Sequence, residues 1–476
     1  MKTRDLLRGL AVALVVAAAG CGGGGSQDSS SAAASQPTPT VVVGTITGFG
    51  SVVVAGKHFD TQNASIRLDD RSGTESELRV GQVVRLAGSF DSGRGRGSAS
   101  SIDQHDLVEG PVQLIDAAAG TLVVLGQSVR VDALTHFDDD ISPASLAGLA
   151  VGDTVEVSGF RDAAQVILAT RIEKERAGEL EVTGIVEQLN AAAKTFRIGG
   201  LTVDYSSAQL DDLSGGAPAN GMLVEAKGMT LASGGALLAT RVEGKNRGMN
   251  ADDDDEVEVE GLVTRFVSAT DFDVNGQPVT TSSATRFERG TAADLALNVR
   301  IEVEGRVVNG VLQASKVQFE NEADLRLAAP VQSIDAAAGR FTALGIVVET
   351  SLGTRFEDQT DAQVREFNVT SLRVGDFVEV RGTTGSQPNR INASRVERDD
   401  PEEELDLRGP AENVAAPGLT ILGVSVMTNG ATEFENEGDM TIDAATFFAR
   451  APGRTIHVHG QLQGSVLVAR EIELED

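Results

Sequence analysis

One strand pattern recurs six times in this chain, about once every seventy residues between positions 41 and 475. In each copy, apolar and polar residues alternate and a glycine follows, and a second strand rich in small and β-branched residues comes after a short loop. The six copies of the pattern are residues 84–88, 155–159, 224–228, 301–305, 378–382 and 456–460. Alternation with a period of two predicts β-strands with one buried face. Its repetition therefore predicts one small β-unit used six times.

A second glycine marks a tight turn in every copy. Asn-Gly between two short strands is the strongest two-residue hairpin signal, and glycine suits such turns because it adopts positive φ without strain. The pairs are Ala55-Gly56, Leu125-Gly126, Gly199-Gly200, Asn275-Gly276, Leu344-Gly345 and Leu422-Gly423. We therefore expect a hairpin between the second and third strands of each unit.

The helix-like stretch of each unit lies just before the signature strand. Ser142 followed by Pro143 offers an N-cap and a first helical residue, and residues 291–297 and 361–367 are similar. Three strands, a short helix and two strands is the order of an OB-fold. We predict a mainly β chain, a tandem array of about six small five-stranded OB-like barrels, each with one short helix. Neighbouring copies should pack together or share strands along an elongated rod.

Two copies carry the pattern V-G-D-x-V-E-V-x-G, at residues 151–159 and 374–382. Together with the strands that follow, it resembles an uncharacterised family of tandem OB-like β-domain repeats, a domain of unknown function in bacterial secreted proteins and lipoproteins. The resemblance covers residues 41–475. It implies the fold and says almost nothing about activity, because function depends on sites and not on folds.

The copies and the segments between them set the predicted domain boundaries. The segments are a signal peptide (1–20), a flexible lipoprotein tether (21–40), β-repeats 1 to 3 (41–106, 107–177, 178–244), an acidic linker (245–255) and β-repeats 4 to 6 (256–322, 323–399, 403–475). The linker contains four consecutive aspartates and divides the array into two groups of three.

The N-terminus is typical of an export signal. Three basic residues, an apolar run at 10–19 and small residues at 18–20 precede Cys21, the only cysteine in the chain. The apolar run is shorter than the ~20 residues that span a bilayer. Small residues before a cysteine resemble the bacterial lipobox, so we predict that Cys21 is lipidated. A plain secretory signal with a free thiol is the alternative.

The residue after Cys21 bears on where the protein is located, and the net charge of the chain bears on its partners. In Gram-negative lipoproteins an aspartate after the cysteine favours the inner membrane, so Gly22 indicates the outer membrane. The chain carries a net charge of −30, and because residues 1–20 carry +2, the remainder carries −32. So acidic a protein repels phosphate backbones, which makes nucleic acid an unexpected partner.

His457 and His459 are the most suggestive pair for a metal. They lie two apart on a predicted strand, so both point to one face, a spacing that suits zinc or copper. The equivalent residues in other copies include Glu156, Ser158 and Lys227, which favours a solvated polar face. We predict no metal there. His58, His105 and His136 have no partner in any shared pattern.

Acidic loops follow a recurring phenylalanine. They comprise residues 138–140, 357–358 and 435–437, and a fourth acidic run occupies 252–255. Grouped oxygen ligands favour calcium, but the spaced Asp/Asn pattern of a calcium loop is absent from the sequence. Weak calcium binding and plain solvated loops both remain open.

No catalytic motif was found in the sequence: neither G-x-S-x-G, H-E-x-x-H nor a P-loop occurs. We therefore predict no enzyme, no cofactor and no catalytic residue. Phe137, Phe196, Phe272, Phe287 and Phe341 fall at core positions, so an aromatic binding platform is poorly supported.

The expected function is that of a non-enzymatic, lipid-anchored protein of the bacterial envelope. It would act as a structural spacer or a scaffold for envelope protein partners, attached to the outer membrane through the lipid on Cys21. The alternative is a module that binds glycans or cations through the loops of its repeats.

Overall fold

The structure is a computed structural model that describes residues 37–69, 71–176, 178–246, 249, 251–320, 323–385, 387, 389–438 and 440–475. The predicted signal peptide, Cys21 and residues 21–36 of the predicted tether lie outside the described residues. The first strand begins at Thr38, just before the predicted boundary of repeat 1.

Strands make up most of the first three repeats. Repeat 1 contains β1 (Thr38–Gly48), β2 (Val52–Val54), β3 (Lys57–Asp60), β4 (Ser65–Leu68), β5 (Arg71–Ser72), β6 (Val83–Asp91) and β7 (Arg96–Gln104). Repeat 2 contains β8 (Val108–Asp116), β9 (Thr121–Val124), β10 (Gln127–Arg130), β11 (His136–Phe137), β12 (Thr154–Arg161) and β13 (Ile167–Glu175). Repeat 3 contains β14 (Leu180–Ile185), β15 (Glu187–Asn190), β16 (Thr195–Ile198), β17 (Leu201–Asp204), β18 (Gln209–Asp211), β19 (Leu223–Leu231) and β20 (Leu237–Gly244).

The last three repeats follow the same plan. Repeat 4 contains β21 (Glu256–Ser268), β22 (Asp271–Val274), β23 (Gln277–Thr280), β24 (Arg286–Glu288), β25 (Arg300–Val308) and β26 (Val311–Phe319). Repeat 5 contains β27 (Leu325–Asp335), β28 (Arg340–Ala343), β29 (Ile346–Glu349), β30 (Arg355–Asp358), β31 (Phe377–Thr384) and β32 (Arg390–Asp399). Repeat 6 contains β33 (Leu405–Ala415), β34 (Gly418–Ile421), β35 (Val424–Met427), β36 (Glu433–Glu435), α1 (Ala444–Arg450), β37 (Thr455–Gln463) and β38 (Val466–Leu474).

Each repeat is built around a ring of strands, as repeat 2 illustrates. β8 pairs with β9, and β9 pairs with β10, in antiparallel hairpins. β10 runs parallel to β13, and β12 then pairs antiparallel with both β13 and β8, which closes the ring. The five-stranded OB-like barrel predicted from the sequence is therefore confirmed.

The signature glycine marks a β-bulge on the fourth strand of the ring. In all six repeats the pairing register shifts immediately before this glycine. A Cβ added at Gly305 would lie 2.1 Å from the carbonyl oxygen of Gln313 on the neighbouring strand, and the other five signature glycines are similarly close. Only glycine fits, because the backbones approach so closely at the bulge.

The predicted hairpins are also present. Five of the six turn pairs have positive φ at both residues, as in Asn275 (49°) and Gly276 (79°). This is the type I′ geometry that two-residue hairpins favour.

The predicted helix is shorter than expected in most repeats. Only repeat 6 has an α-helix among the described residues, α1, whereas repeats 1, 2 and 4 have a single 3₁₀ turn. These turns are Glu75–Glu77, Leu146–Gly148 and Ala292–Asp294. A fourth 3₁₀ turn, Ala336–Ala338, lies in the first hairpin of repeat 5. Helices this short gain little from their own hydrogen bonds.

The repeats pair through their first strands into three sheets. β8 pairs with β14 and β27 pairs with β33, so repeats 2 and 3, and repeats 5 and 6, share sheets as predicted. β1, however, runs parallel to β21, with Val41 opposite Val257, so repeat 1 shares its sheet with repeat 4. The predicted sharing of strands between neighbouring copies therefore holds in two of the three sheets, whereas the third joins two repeats that are distant in sequence.

Candidate functional site: charged junctions between repeats

The polar face of the signature strands is buried where repeats meet. Glu225 is 1% exposed and Glu302 is 7% exposed, although both alternate with core residues on their strands. The interpretation of these positions as a solvated face is therefore wrong. A strand at a shared sheet turns its second face toward the partner repeat, which covers it.

Glu260 of repeat 4 is the centre of the first junction. Its Oε1 accepts a hydrogen bond from Arg300 Nε at 3.1 Å, and its Oε2 accepts one from the Thr45 amide of repeat 1 at 2.7 Å. Arg355 of repeat 5 lies 3.7 Å from Oε1. Burial alone would raise the pKa of Glu260, but Arg300 and Arg355 outweigh it and hold the pKa at about 2. One ionised carboxylate thus connects three repeats.

Glu357 of repeat 5 plays the same part at the second junction, with repeat 2. It contacts His136 Nδ1 and lies 3.4 Å from Arg171 Nη1. Burial would raise the pKa of Glu357, but His136 and Arg171 lower it to about 2. Burial, followed by Arg395, lowers the pKa of His136 to about 3. A neutral His136 therefore donates its Nδ1 proton to an ionised Glu357.

Backbone contacts reinforce the second junction. Arg355 donates to the carbonyl of Leu134 at 2.8 Å, and Arg395 donates to that of Thr135 at 2.9 Å. Arg171 reaches the carbonyl of Val80 in repeat 1 at 3.1 Å. Repeats 1, 2, 4 and 5 are therefore connected by buried hydrogen-bonded charges, which hold geometry when every partner is present.

A third junction, between repeats 1, 2 and 3, is strongly acidic. Asp69, Asp106 and Glu156 bring carboxylate oxygens within 4.8 Å of one another. Burial, followed by Asp106 and Glu109, raises the pKa of Glu156 to about 10. Burial, followed by Asp69 and Glu175, raises the pKa of Glu109 to about 7. Glu156 therefore holds a proton at neutral pH, and Glu109 is partly protonated there.

A fourth charged group lies between repeats 5 and 6 and contains the predicted histidine pair. His457 Nε2 lies 3.0 Å, and His459 Nδ1 lies 3.6 Å, from Oδ2 of Asp406. Arg326 Nη1 of repeat 5 lies 3.2 Å from the same oxygen. Asp406 was missed by sequence reasoning, because only the register of β33 with β37 places it opposite His459.

The acidic loops proposed for calcium are largely engaged with arginines. Asp138 accepts from Arg171 at 3.0 Å, and Asp358 accepts from Arg398 Nε at 2.9 Å. In the linker, the Asp252 amide donates to the Asp255 side chain at 2.9 Å. Weak calcium binding stays a prediction.

The phenylalanines occupy the interior as expected. Phe196, Phe272 and Phe341 are at most 1% exposed, Phe137 is 5% exposed and Phe287 is half-buried. His58 is hydrogen-bonded to Ser51 at 2.8 Å.

Within the described residues, no helix combines the length and the apolar character needed to cross a membrane.

A family model described as "Domain of unknown function (DUF5666)" matches the chain six times. The matched residues are 42–103, 109–173, 183–243, 260–318, 329–397 and 408–473. The chain belongs to this family. The six DUF5666 matches coincide with the six barrels, which confirms the predicted repeat of unknown function.

Other comparisons add little to the DUF5666 assignment. No curated protein matches the chain. Among solved structures, the chain titled "drosophila Unr CSD456" is 13% identical, over 44% of this chain and 98% of that chain, with a TM-score of 0.13. At that score the likeness bears neither on fold nor on function.

Proposed function

We propose that this DUF5666 protein is a non-enzymatic scaffold of the bacterial envelope, a spacer or a platform for protein partners. The observation that supports this proposal most is that buried charged side chains connect different repeats. Glu260 and Glu357 are ionised, and each lies within 4 Å of an arginine from another repeat, Arg355 beside Glu260 and Arg171 beside Glu357. A platform needs its surfaces held in one arrangement, and buried ion networks between repeats supply that.

The anchor is proposed from the sequence alone. Small residues before Cys21 and a Gly/Ser/Ala-rich segment after it suit a lipidated cysteine on a flexible tether. Gly22 supports the outer membrane as the location. A lipid on Cys21 would hold the six barrels near the membrane surface, within reach of envelope proteins.

The anchor is tested by growing cells with an alkyne fatty acid and comparing the wild-type chain with Cys21→Ser. The wild type should take up the label and sediment with membranes, and the variant should do neither. Equal labelling of the two chains contradicts the anchor.

The scaffold role is tested by cross-linking in intact cells with the same pair of chains. We expect a defined set of envelope proteins on the wild type and loss of that set from Cys21→Ser, whose folded part is unchanged. If the two chains give the same partners, or the wild type gives only copies of itself, the proposed role at the membrane is wrong.

A further inference from the structure

The charged group between repeats 5 and 6 differs in chemistry from its counterparts in the other repeats. Asp406 on β33, and His457 and His459 on β37, occupy positions that hold Arg326, Glu379 and Arg381 in repeat 5. In repeat 5 these three residues pair with one another, because Glu379 lies 2.7 Å from both Arg326 and Arg381. Repeat 6 places two imidazoles and a carboxylate at the same three positions.

Asp406 and His457 bring buried polar atoms together at this point. Asp406 is 5% exposed, and its Oδ1 has no hydrogen-bond partner among the described residues. Its Oδ2 lies 3.0 Å from Nε2 of His457, which is also buried. Buried polar atoms are nearly always satisfied, so a carboxylate with an open oxygen beside two imidazoles offers a place for a further partner.

The spacing between the ligand atoms of Asp406, His457 and His459 suits one metal ion. Zinc binds imidazole nitrogen and carboxylate oxygen at about 2.0–2.2 Å, which places tetrahedral ligand atoms about 3.3 Å apart. The separations from Asp406 Oδ2 are 3.0 Å for His457 Nε2 and 3.6 Å for His459 Nδ1. Ligand atoms of the three side chains all lie within 4.8 Å of one another.

A fourth side chain, Glu475, places a carboxylate near the second ring nitrogen of His457. Glu475 Oε1 lies 3.8 Å from Nδ1 of His457, beyond hydrogen-bond distance, while its Oε2 accepts from Arg408 at 3.3 Å. Metal-binding histidines usually direct their second nitrogen to a carboxylate, which fixes the ring and raises its basicity, and Glu475 is the carboxylate near this nitrogen.

Arg326 is the cation that competes for Asp406. Its Nη1 lies 3.2 Å from Asp406 Oδ2, whereas its Nη2 lies 2.7 Å from Oε2 of Glu379. The closer partner is Glu379, so Arg326 can stay bound in repeat 5 while a metal takes the carboxylate of Asp406. On the other side, β38 places Glu473 opposite His457 and Glu471 opposite His459, which adds negative charge that favours a cation.

We propose that Asp406, His457 and His459 form a binding site for one divalent transition-metal ion, with zinc as the best fit. Imidazole nitrogens select zinc and its neighbours over calcium and magnesium, which prefer oxygen ligands only. Three protein ligands leave one coordination position for water or an external ligand. The site connects the first and the fourth strand of the ring in repeat 6. Its existence does not depend on the scaffold role proposed above.

Zinc titration of the full chain, stripped with EDTA and kept in detergent, tests the proposal. The wild type should bind one zinc ion by calorimetry. His457→Gln and His459→Gln should each weaken that binding by at least about 100-fold, and Glu475→Gln by about 10–100-fold. His58→Gln is the matched control, since His58 is a half-buried histidine in repeat 1 whose ring is hydrogen-bonded to Ser51, and it should bind as the wild type does.

A spectroscopic readout keeps the test decisive if a variant fails to fold. X-ray absorption on the zinc-loaded wild type should show two imidazole ligands and light-atom ligands in fourfold coordination. The proposal is overturned if the stripped wild type takes up no stoichiometric zinc, if the folded histidine variants bind as the wild type does, or if the bound zinc shows no imidazole.

Discussion

Glu260 shows how a single side chain can determine an arrangement of repeats. Its carboxylate takes hydrogen bonds from Arg300 and from the amide of Thr45, and it lies beside Arg355. A carboxylate removed from water is costly unless every lone pair is used, and here residues of three repeats supply the partners.

Replacing Glu260 by glutamine should therefore destabilise the protein by about 3–5 kcal/mol, because Arg300 is left buried without its counter-charge. The measurement is urea unfolding followed by circular dichroism. Glu304→Gln is the control, since Glu304 is 38% exposed and lies at 3.4–3.5 Å from two lysines. Its loss should cost under about 1 kcal/mol. Equal costs for the two variants would contradict the role of Glu260.

Stability should also fall as the pH rises from about 5 to about 8. Glu109 has a folded pKa of about 7 against an ordinary 4.5. The folded protein therefore holds a proton that the unfolded chain releases, and the stabilisation from this group is lost as the pH rises through about 7. Glu109→Gln should flatten the fall of Tm with pH, whereas the exposed Glu187→Gln should not. An unchanged slope in Glu109→Gln would contradict this assignment.

Glu260 and Glu357 make the stability depend on pH in the opposite direction. Their folded pKa values of about 2 lie below the ordinary value, so their stabilisation is present above pH 4.5 and is lost as the pH falls toward 2. Tm should thus be highest in mildly acidic solution and lower on both sides.

At the scale of strands and turns, local sequence predicted most of what is present. The turn pairs give hairpins because Asn275-Gly276 and its counterparts adopt positive φ. The signature glycine is explained by the bulge, where no Cβ fits. The helix was over-predicted, because a cap such as Thr291 with Asp294 is satisfied within one 3₁₀ turn and needs no longer helix.

Repeat 3 offers a matched pair of glycines for testing the bulge. A Cβ at Gly228 would lie 2.5 Å from the carbonyl oxygen of Leu238, whereas one at Gly234 would meet nothing within 4 Å. Gly228→Ala should cost about 1–3 kcal/mol of unfolding free energy by urea titration. Gly234→Ala should cost little or stabilise slightly, since it lowers the entropy of the unfolded chain. If both substitutions are neutral, the close approach at the bulge is not what requires glycine.

At the scale of the whole chain, the pairing of repeats was beyond local sequence. The first strands of the six repeats have similar sequences. The alternation of apolar and polar residues therefore cannot decide which two first strands pair with each other. The choice depends on contacts between distant residues, such as Thr45 with Glu260. The same limit applies to the proposed metal site. The sequence shows the His-x-His pair, but Asp406 comes about fifty residues earlier and joins the pair only through the sheet register.

The pairing of β1 with β21 is the long-range contact that joins the first half of the array to the second within one sheet. Disulfide trapping in a Cys21→Ser background tests it most directly, because the chain then has no other thiol. Thr40 and Glu256 are register partners, so Thr40→Cys with Glu256→Cys should form an intramolecular disulfide and raise mobility on a non-reducing gel. Thr40→Cys with Leu405→Cys, on the first strand of repeat 6, should not. Failure of the first pair to close within one chain, or closure of both pairs alike, would contradict this account of the fold.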